Sequence, residues 1–133
     1  TDIMNITGFA KKFLDVYPQY KDAYKEHITK YGNFLYMEFF GTYFVPQIKE
    51  MVVSDNKKTV KKLLSLCEGA YIAGDSDTVN LVVACLAAAA LDDEKIKQSV
   101  FEMLKDNSHF KMSVESFIPM LKKKKDLSKL LVK

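Results

Sequence analysis

Few side chains in this sequence are of kinds that do chemistry, and those few stand apart from one another. Asp75-x-Asp77 opens like a calcium-binding loop, but Val79 and Asn80 occupy the positions where a third acidic ligand and a glycine are required. Capping of a helix by Ser76 or Asp77 accounts for this acidic stretch instead. Asp92-Asp93-Glu94 offers three consecutive carboxylates. At a helix start they project in different directions, and no neighbouring nucleophile or acid is matched to them. His27 and His109 each lack the second His or Cys three or four residues away that a zinc site needs. His27 sits beside the Tyr24–Ile28 stripe of a helix, and His109 is expected in a loop. There is no phosphate loop, no Gly-rich nucleotide fingerprint and no Gly-x-Ser-x-Gly elbow, and five glycines leave little material for a phosphate cradle. These patterns assign no catalytic residue, no metal and no cofactor.

The aromatic stretch is a different matter. Phe34, Tyr36, Phe39, Phe40, Tyr43 and Phe44 are more large rings than one helix face can bury. Adjacent helical residues point about 100° apart, so Phe39 and Phe40 face inward together only if their element is covered on two sides. Core packing near the second helix and its tyrosines is one account of them; rings left outside would instead make a contact surface for another protein. Its candidate partner-binding residues are Tyr36, Phe40 and Tyr43, with Glu38 and Thr42 at the corner. Tyr suits that work because it offers area and a hydrogen bond at low entropic cost.

The elements that must hold these residues read as helices. Pro and Gly are few and fall at boundaries, and no alternating pattern competes with the helical one. Leu81 to Leu91 (LVVACLAAAAL) carries no polar side chain. A stretch that is apolar all round is a central helix or a membrane span, and this one is short of the roughly 20 residues a span needs. It is expected to be the buried centre of the fold.

Before it, Lys57 to Ala73 is amphipathic, with Val60, Leu63, Leu64, Cys67 and Tyr71 inward and Lys57, Lys58, Lys61 and Lys62 outward. Further helices are expected over 7–17, after Pro18 to Tyr31, from a Thr42 cap to Val53, from Asp93 to Leu104, and from a Ser113 cap to Leu121. The spacing predicts an all-α fold: a compact bundle of about seven antiparallel helices with a solenoid-like (HEAT-like) central hairpin. Residues 1–121 form a single domain, and 122–133 a short basic C-terminal tail.

The net charge of +3 is unevenly placed. From Lys122 onward six lysines stand against Asp126, a net +5, which leaves −2 for residues 1–121. Arginine is absent, which argues against specific reading of phosphate or guanine edges, although a lysine-rich tail can bind polyanions weakly. Cys67 and Cys85 fall on apolar helix faces, where a free Cys acts as a small hydrophobe. No basic-then-apolar leader of the secretory kind is seen, so a reduced, cytoplasmic setting without a membrane span is expected.

Two stretches, Tyr31-Gly32-Asn33-Phe34-Leu35-Tyr36-Met37-Glu38-Phe39-Phe40-Gly41 and Gly74-Asp75 running into Val79-Asn80-Leu81-Val82-Val83, give the chain a likeness. Over roughly residues 19–104 it resembles a group of small, uncharacterised bacterial all-helical proteins, some of which look like immunity partners of polymorphic toxins. The resemblance implies binding of another protein without catalysis. In that pattern an acidic residue follows Phe-Phe-Gly, whereas here it is Thr42. The leading expectation is a non-enzymatic protein-interaction domain that occludes a partner. The mildly acidic body suits a basic toxin. Two alternatives are a nucleic-acid-associated helical domain using the tail and the Lys57/Lys58/Lys61/Lys62 face, and a small ligand-binding bundle or enzyme.

Overall fold

The computed structural model describes the backbone of residues 2–131 and the side chains of residues 2–126. Seven α-helices follow one another: α1 (Ile6–Val16), α2 (Lys21–Tyr31), α3 (Tyr36–Val52), α4 (Lys57–Ala73), α5 (Ser76–Ala90), α6 (Glu94–Met103) and α7 (Ser108–Leu131). A 3-10 turn at Pro18–Tyr20 joins the first two. Among the described residues none forms a strand, and the one bridge pairs Met4 with Gly74. The chain is an all-α bundle.

Its axis is the apolar run. Ten of the fifteen residues of α5 are buried, with Leu81, Val82, Leu86, Ala87 and Ala90 fully so. The helix packs against α3, α4, α6, α7 and α1. Small Ala side chains let neighbours approach on every side, and the lack of a polar face leaves no stripe for solvent. Contact with so many elements is bundle packing, since a solenoid layer touches only its neighbours. Asp75 caps α5: its carboxylate accepts from Thr78 N at 2.9 Å and from Thr78 Oγ1 at 2.7 Å. These bonds hold the Asp75 carboxyl below its usual range. The cap therefore lies one residue before Ser76 and two before Asp77, the two expected caps.

Ahead of that cap the N-terminal segment is clipped to the α4–α5 turn. Met4 N donates to Ala73 O at 2.7 Å, and Asp75 N donates to Met4 O at 2.8 Å. Gly74 sits at this junction, where any Cβ would collide with the Ala70 carbonyl oxygen and crowd Thr78.

Three local expectations are corrected. Gly41 does not halt the aromatic element and Thr42 does not cap a new helix: α3 runs unbroken from Tyr36 through Gly41 and Pro46 to Val52. A mid-helix Gly costs only about 1 kcal/mol relative to Ala. Phe39, Phe40, Phe44 and Ile48, all buried, anchor the helix on both sides of it. The last helix begins at Ser108 instead of at a Ser113 cap, so His109 lies in its first turn and not in a loop. That helix also continues past Lys122 to Leu131. The basic tail therefore starts as helix, and the side chains of Leu127, Leu130 and Leu131 lie outside the described residues. Finally, no helix among the described residues is long and apolar enough to cross a membrane.

Candidate functional site: the aromatic corner of α2 and α3

The corner begins with the end of α2. Gly32 takes φ +65°, a left-handed conformation that suits glycine, and its N–H closes on Ile28 O at 2.8 Å. The chain then turns through Asn33, whose Oδ1 accepts from Phe34 N at 2.8 Å. His27, almost buried on α2, accepts from Leu35 N through Nε2 at 3.1 Å. That bond places the neutral-ring proton on Nδ1 and ties the turn to the helix it leaves. The role of His27 is thus to hold the corner in shape.

Beneath the turn lies a continuous ring cluster. Phe40 is 5.3 Å from Phe9, 5.2 Å from Phe13 and 5.9 Å from Phe34, centre to centre. Phe39 meets Tyr24 at 5.6 Å, His27 at 5.5 Å and Tyr43 at 5.0 Å. Most of these pairs are tilted or edge-on, the geometry ring quadrupoles favour. Both Phe39 and Phe40 are buried, so α3 is indeed covered on two sides. Rings of α1 and α2 meet it through Phe9, Phe13 and Tyr24, and α5 also packs against it.

Of the five residues singled out in the sequence, the structure keeps four at or near the surface. Glu38 and Thr42 are exposed, and Tyr36 and Tyr43 are half-buried. Phe40 is the correction: at 0% exposure it belongs to the core and cannot touch a partner, because its direction on α3 points at Phe9 and Phe13. Thr42 Oγ1 donates back to Glu38 O at 2.9 Å, and Tyr31 OH donates to Glu38 Oε1 at 3.3 Å. Glu26, Lys30, Glu38, Thr42 and Tyr43 edge a cavity of about 300 Å³ between the two helices. Lys30 Nζ lies 5.1 Å from the Tyr31 ring centre, within cation–π range.

Three further residues belong to this surface. Tyr31, Leu35 and Met37 are 39%, 38% and 48% exposed around the one turn. Tyr31 lies on the inward stripe of its helix by periodicity, and its displacement outward follows from α2 ending there. Leu35 and Met37 flank Tyr36 in a run that is apolar throughout, so the sequence carries no signal for which side faces out.

The other expected clusters have structural explanations. Asp93 caps α6, accepting from Ile96 N at 3.1 Å, and Asp92 accepts from Lys125 Nζ at 2.6 Å. Cys67 and Cys85 are free and buried; burial pushes both thiols up, Cys85 to about 12. His109 Nδ1 is 2.8 Å from Tyr71 OH, which is itself 3.0 Å from Ser113 Oγ, and Ser113 donates to His109 O at 3.1 Å. This closed set of bonds stands at one end of a 770 Å³ cleft between α4, α5 and α7. Its other walls are neutral: Val79, Asn80, Val83, Met112 and Phe117. Among the described residues, no group of three or more His, Cys, Asp or Glu is placed to hold a metal.

Among known proteins, no curated protein and no solved structure matches the chain. A family match does extend over residues 10–123, from α1 into α7 and across the whole aromatic corner. The chain belongs to the family described as Domain of unknown function (DUF7674).

Proposed function

We propose that this chain is a non-enzymatic protein-interaction domain of the immunity type, which neutralises a basic toxin by covering part of its surface with the α2–α3 corner. The observation that carries the reading is the exposure of Tyr31, Leu35 and Met37 around a single turn, on a base of buried rings. Large apolar side chains on a rigid support are what a protein contact uses as anchors. A pre-formed turn loses little entropy on binding. Glu26 and Glu38 against Lys30 give the rim a slight negative excess, which complements a basic partner. Half-buried Tyr36 and Tyr43 add ring surface behind the anchors. The reading places the protein in the cytoplasm, where its two free thiols stay reduced.

The test uses the product of the gene next to this one, purified and titrated with the full chain by calorimetry. A low-micromolar or tighter complex is expected. Substituting Tyr31→Ala and Met37→Ala together is expected to weaken it at least tenfold, with the melting temperature lowered only modestly because both side chains lie at the surface outside the core cluster. Equal affinity in the double variant would remove the corner from the contact. Full toxin activity in a saturated complex would remove the immunity role.

A further inference from the structure

The lysines of the body are not spread evenly, and the structure gathers half of them on one side. Two open grooves flank the N-terminal half of α4. One is lined by Lys12 of α1 together with Lys58, Lys61 and Lys62. The other, of about 960 Å³, has Lys57 and Lys61 on one wall and Lys95 and Lys105 on the other. All seven lysines are exposed. The acids lining the same grooves are Asp15, Glu102 and Asp106, so the face carries a net +4 on a body whose own balance is −2. Among the described residues, Lys105 alone of the seven is in an ion pair, with Glu102 at 2.9 Å. The helix that separates the grooves also turns its N-terminus toward this side, at Lys57, adding the positive end of its dipole.

From this concentration of lysines, six of the seven outside any ion pair among the described residues, we infer that the α4 face binds the phosphate backbone of double-stranded nucleic acid, without reading its sequence. The inference is independent of the toxin-binding corner. Three features of the face select that ligand class. The charges run along two grooves and do not converge on one point, so they suit a polymer better than a small anion. A duplex presents one negative charge per about 1.7 Å of its axis and meets several lysines at once. No large exposed apolar side chain lines either groove: Val60, Leu64 and Met103 are half-buried and Leu66 is buried. An acidic protein would find no anchor there, and an anionic bilayer would find nothing to insert. No aromatic residue lines the grooves either, which removes the stacking platforms of single-strand binders. With lysine as the only basic residue, contacts are point charges on phosphate and not bidentate contacts on bases.

The experiment is fluorescence anisotropy of a labelled duplex of about 20 base pairs with the full chain, over roughly 50–200 mM NaCl. Binding is expected to weaken steeply with salt and to be equal for two unrelated sequences. Substituting Lys58→Gln, Lys61→Gln and Lys62→Gln together is expected to weaken binding about 100-fold at the lowest salt. It should also flatten the slope of log K against log salt by about 3, roughly one per lost phosphate contact. Circular dichroism and melting of that variant check that the fold is kept. The tail is separated by a second variant, Lys122→Gln, Lys123→Gln and Lys124→Gln, whose loss is expected to be the smaller. Absence of binding by the wild-type chain at low salt would overturn the inference. So would an unchanged slope in the α4 variant, a larger loss in the tail variant, or tighter binding to phosphatidylserine vesicles than to the duplex.

Discussion

The α2–α3 corner and the outer face of α4 are opposite ways of making a surface. At the corner, Tyr31, Leu35 and Met37 stand on a floor of interlocked rings, and the turn between them is fixed by His27 and Gly32. On α4, Lys57, Lys58, Lys61 and Lys62 project into solvent from a helix whose other side is packed on the core at Leu63, Leu66, Cys67 and Ala70. A partner held at the first surface would gain chiefly by removing apolar area from water, with a shallow salt dependence from its charged rim. A duplex held at the second would gain by releasing counterions and would be weakened steeply by salt. The steepness of the salt response would therefore distinguish the two contacts. The contrast also shows that exposure has different meanings: an exposed lysine is ordinary, whereas three exposed large apolar residues at one turn call for a reason.

Both surfaces rest on α5, and the most severe change removes them together. Leu86→Asp puts an unpaired carboxylate at a fully buried position of the central helix and is expected to abolish folding. Wild-type circular dichroism and melting for that variant would show that α5 is not the common support. A smaller change separates the two surfaces. Phe40→Ala opens a cavity under the corner and is expected to cost about 4 kcal/mol, whereas Lys61→Gln on the exposed face should shift stability by no more than about 0.5 kcal/mol. Urea denaturation of the two variants measures both. Comparable losses would mean that the lysine face is part of the structural core and not a free surface.

An effect of opposite sign is expected at Tyr17, at the end of α1. Tyr17 is buried, and its hydroxyl has no hydrogen-bond partner among the described residues. Burial, reinforced by nearby Cys67, pushes this hydroxyl up to about 12 from an ordinary 10.0. Tyr17→Phe deletes the orphan group and is expected to stabilise the fold by about 1 kcal/mol in denaturant titrations. The pH dependence gives the sign. Between about pH 10 and 12 the unfolded tyrosine loses its proton while the folded one keeps it, so wild-type stability falls as pH rises through that window. The variant should fall less steeply over the same window. A parallel fall in both proteins would place Tyr17 in contact with solvent.

How much of this was legible in the sequence varies with the range of the forces involved. The eleven-residue apolar run from Leu81 to Leu91 announces a helix covered on every side, because no other environment accepts it. The four lysines of α4 are equally plain from their spacing. Lys12, Lys95 and Lys105 join them only because α1 and α6 pack beside α4, a fact no local pattern holds. Phe39-Phe40 stated a condition, burial on two sides, that the fold then met. Gly41 and Thr42 misled because their turn propensities are worth about a kilocalorie, less than the rings that anchor α3 on both sides of them. At His109 and Ser113 the pattern points to a helix start that is too late: the turn ends at Asn107, Ser108 is already helical, and Lys111 N donates to Asn107 O at 2.9 Å. Among the corner residues, Tyr31, Leu35 and Met37 could not be sorted from buried ones, since exposure there is decided by where α2 stops.

The clip between Met4 and the α4–α5 turn bears on the order in which the chain folds. Its two hydrogen bonds join residues about seventy positions apart, whereas α4 and α5 meet through a turn of two residues. Closing the long loop costs more chain entropy than closing the short one, and the clip itself has no partners until the hairpin presents its carbonyl and amide at Ala73 and Asp75. The N-terminal segment therefore docks onto a hairpin that already exists. Met4 acts as a late latch, so early steps of folding are expected to proceed at the same speed whether or not it can close.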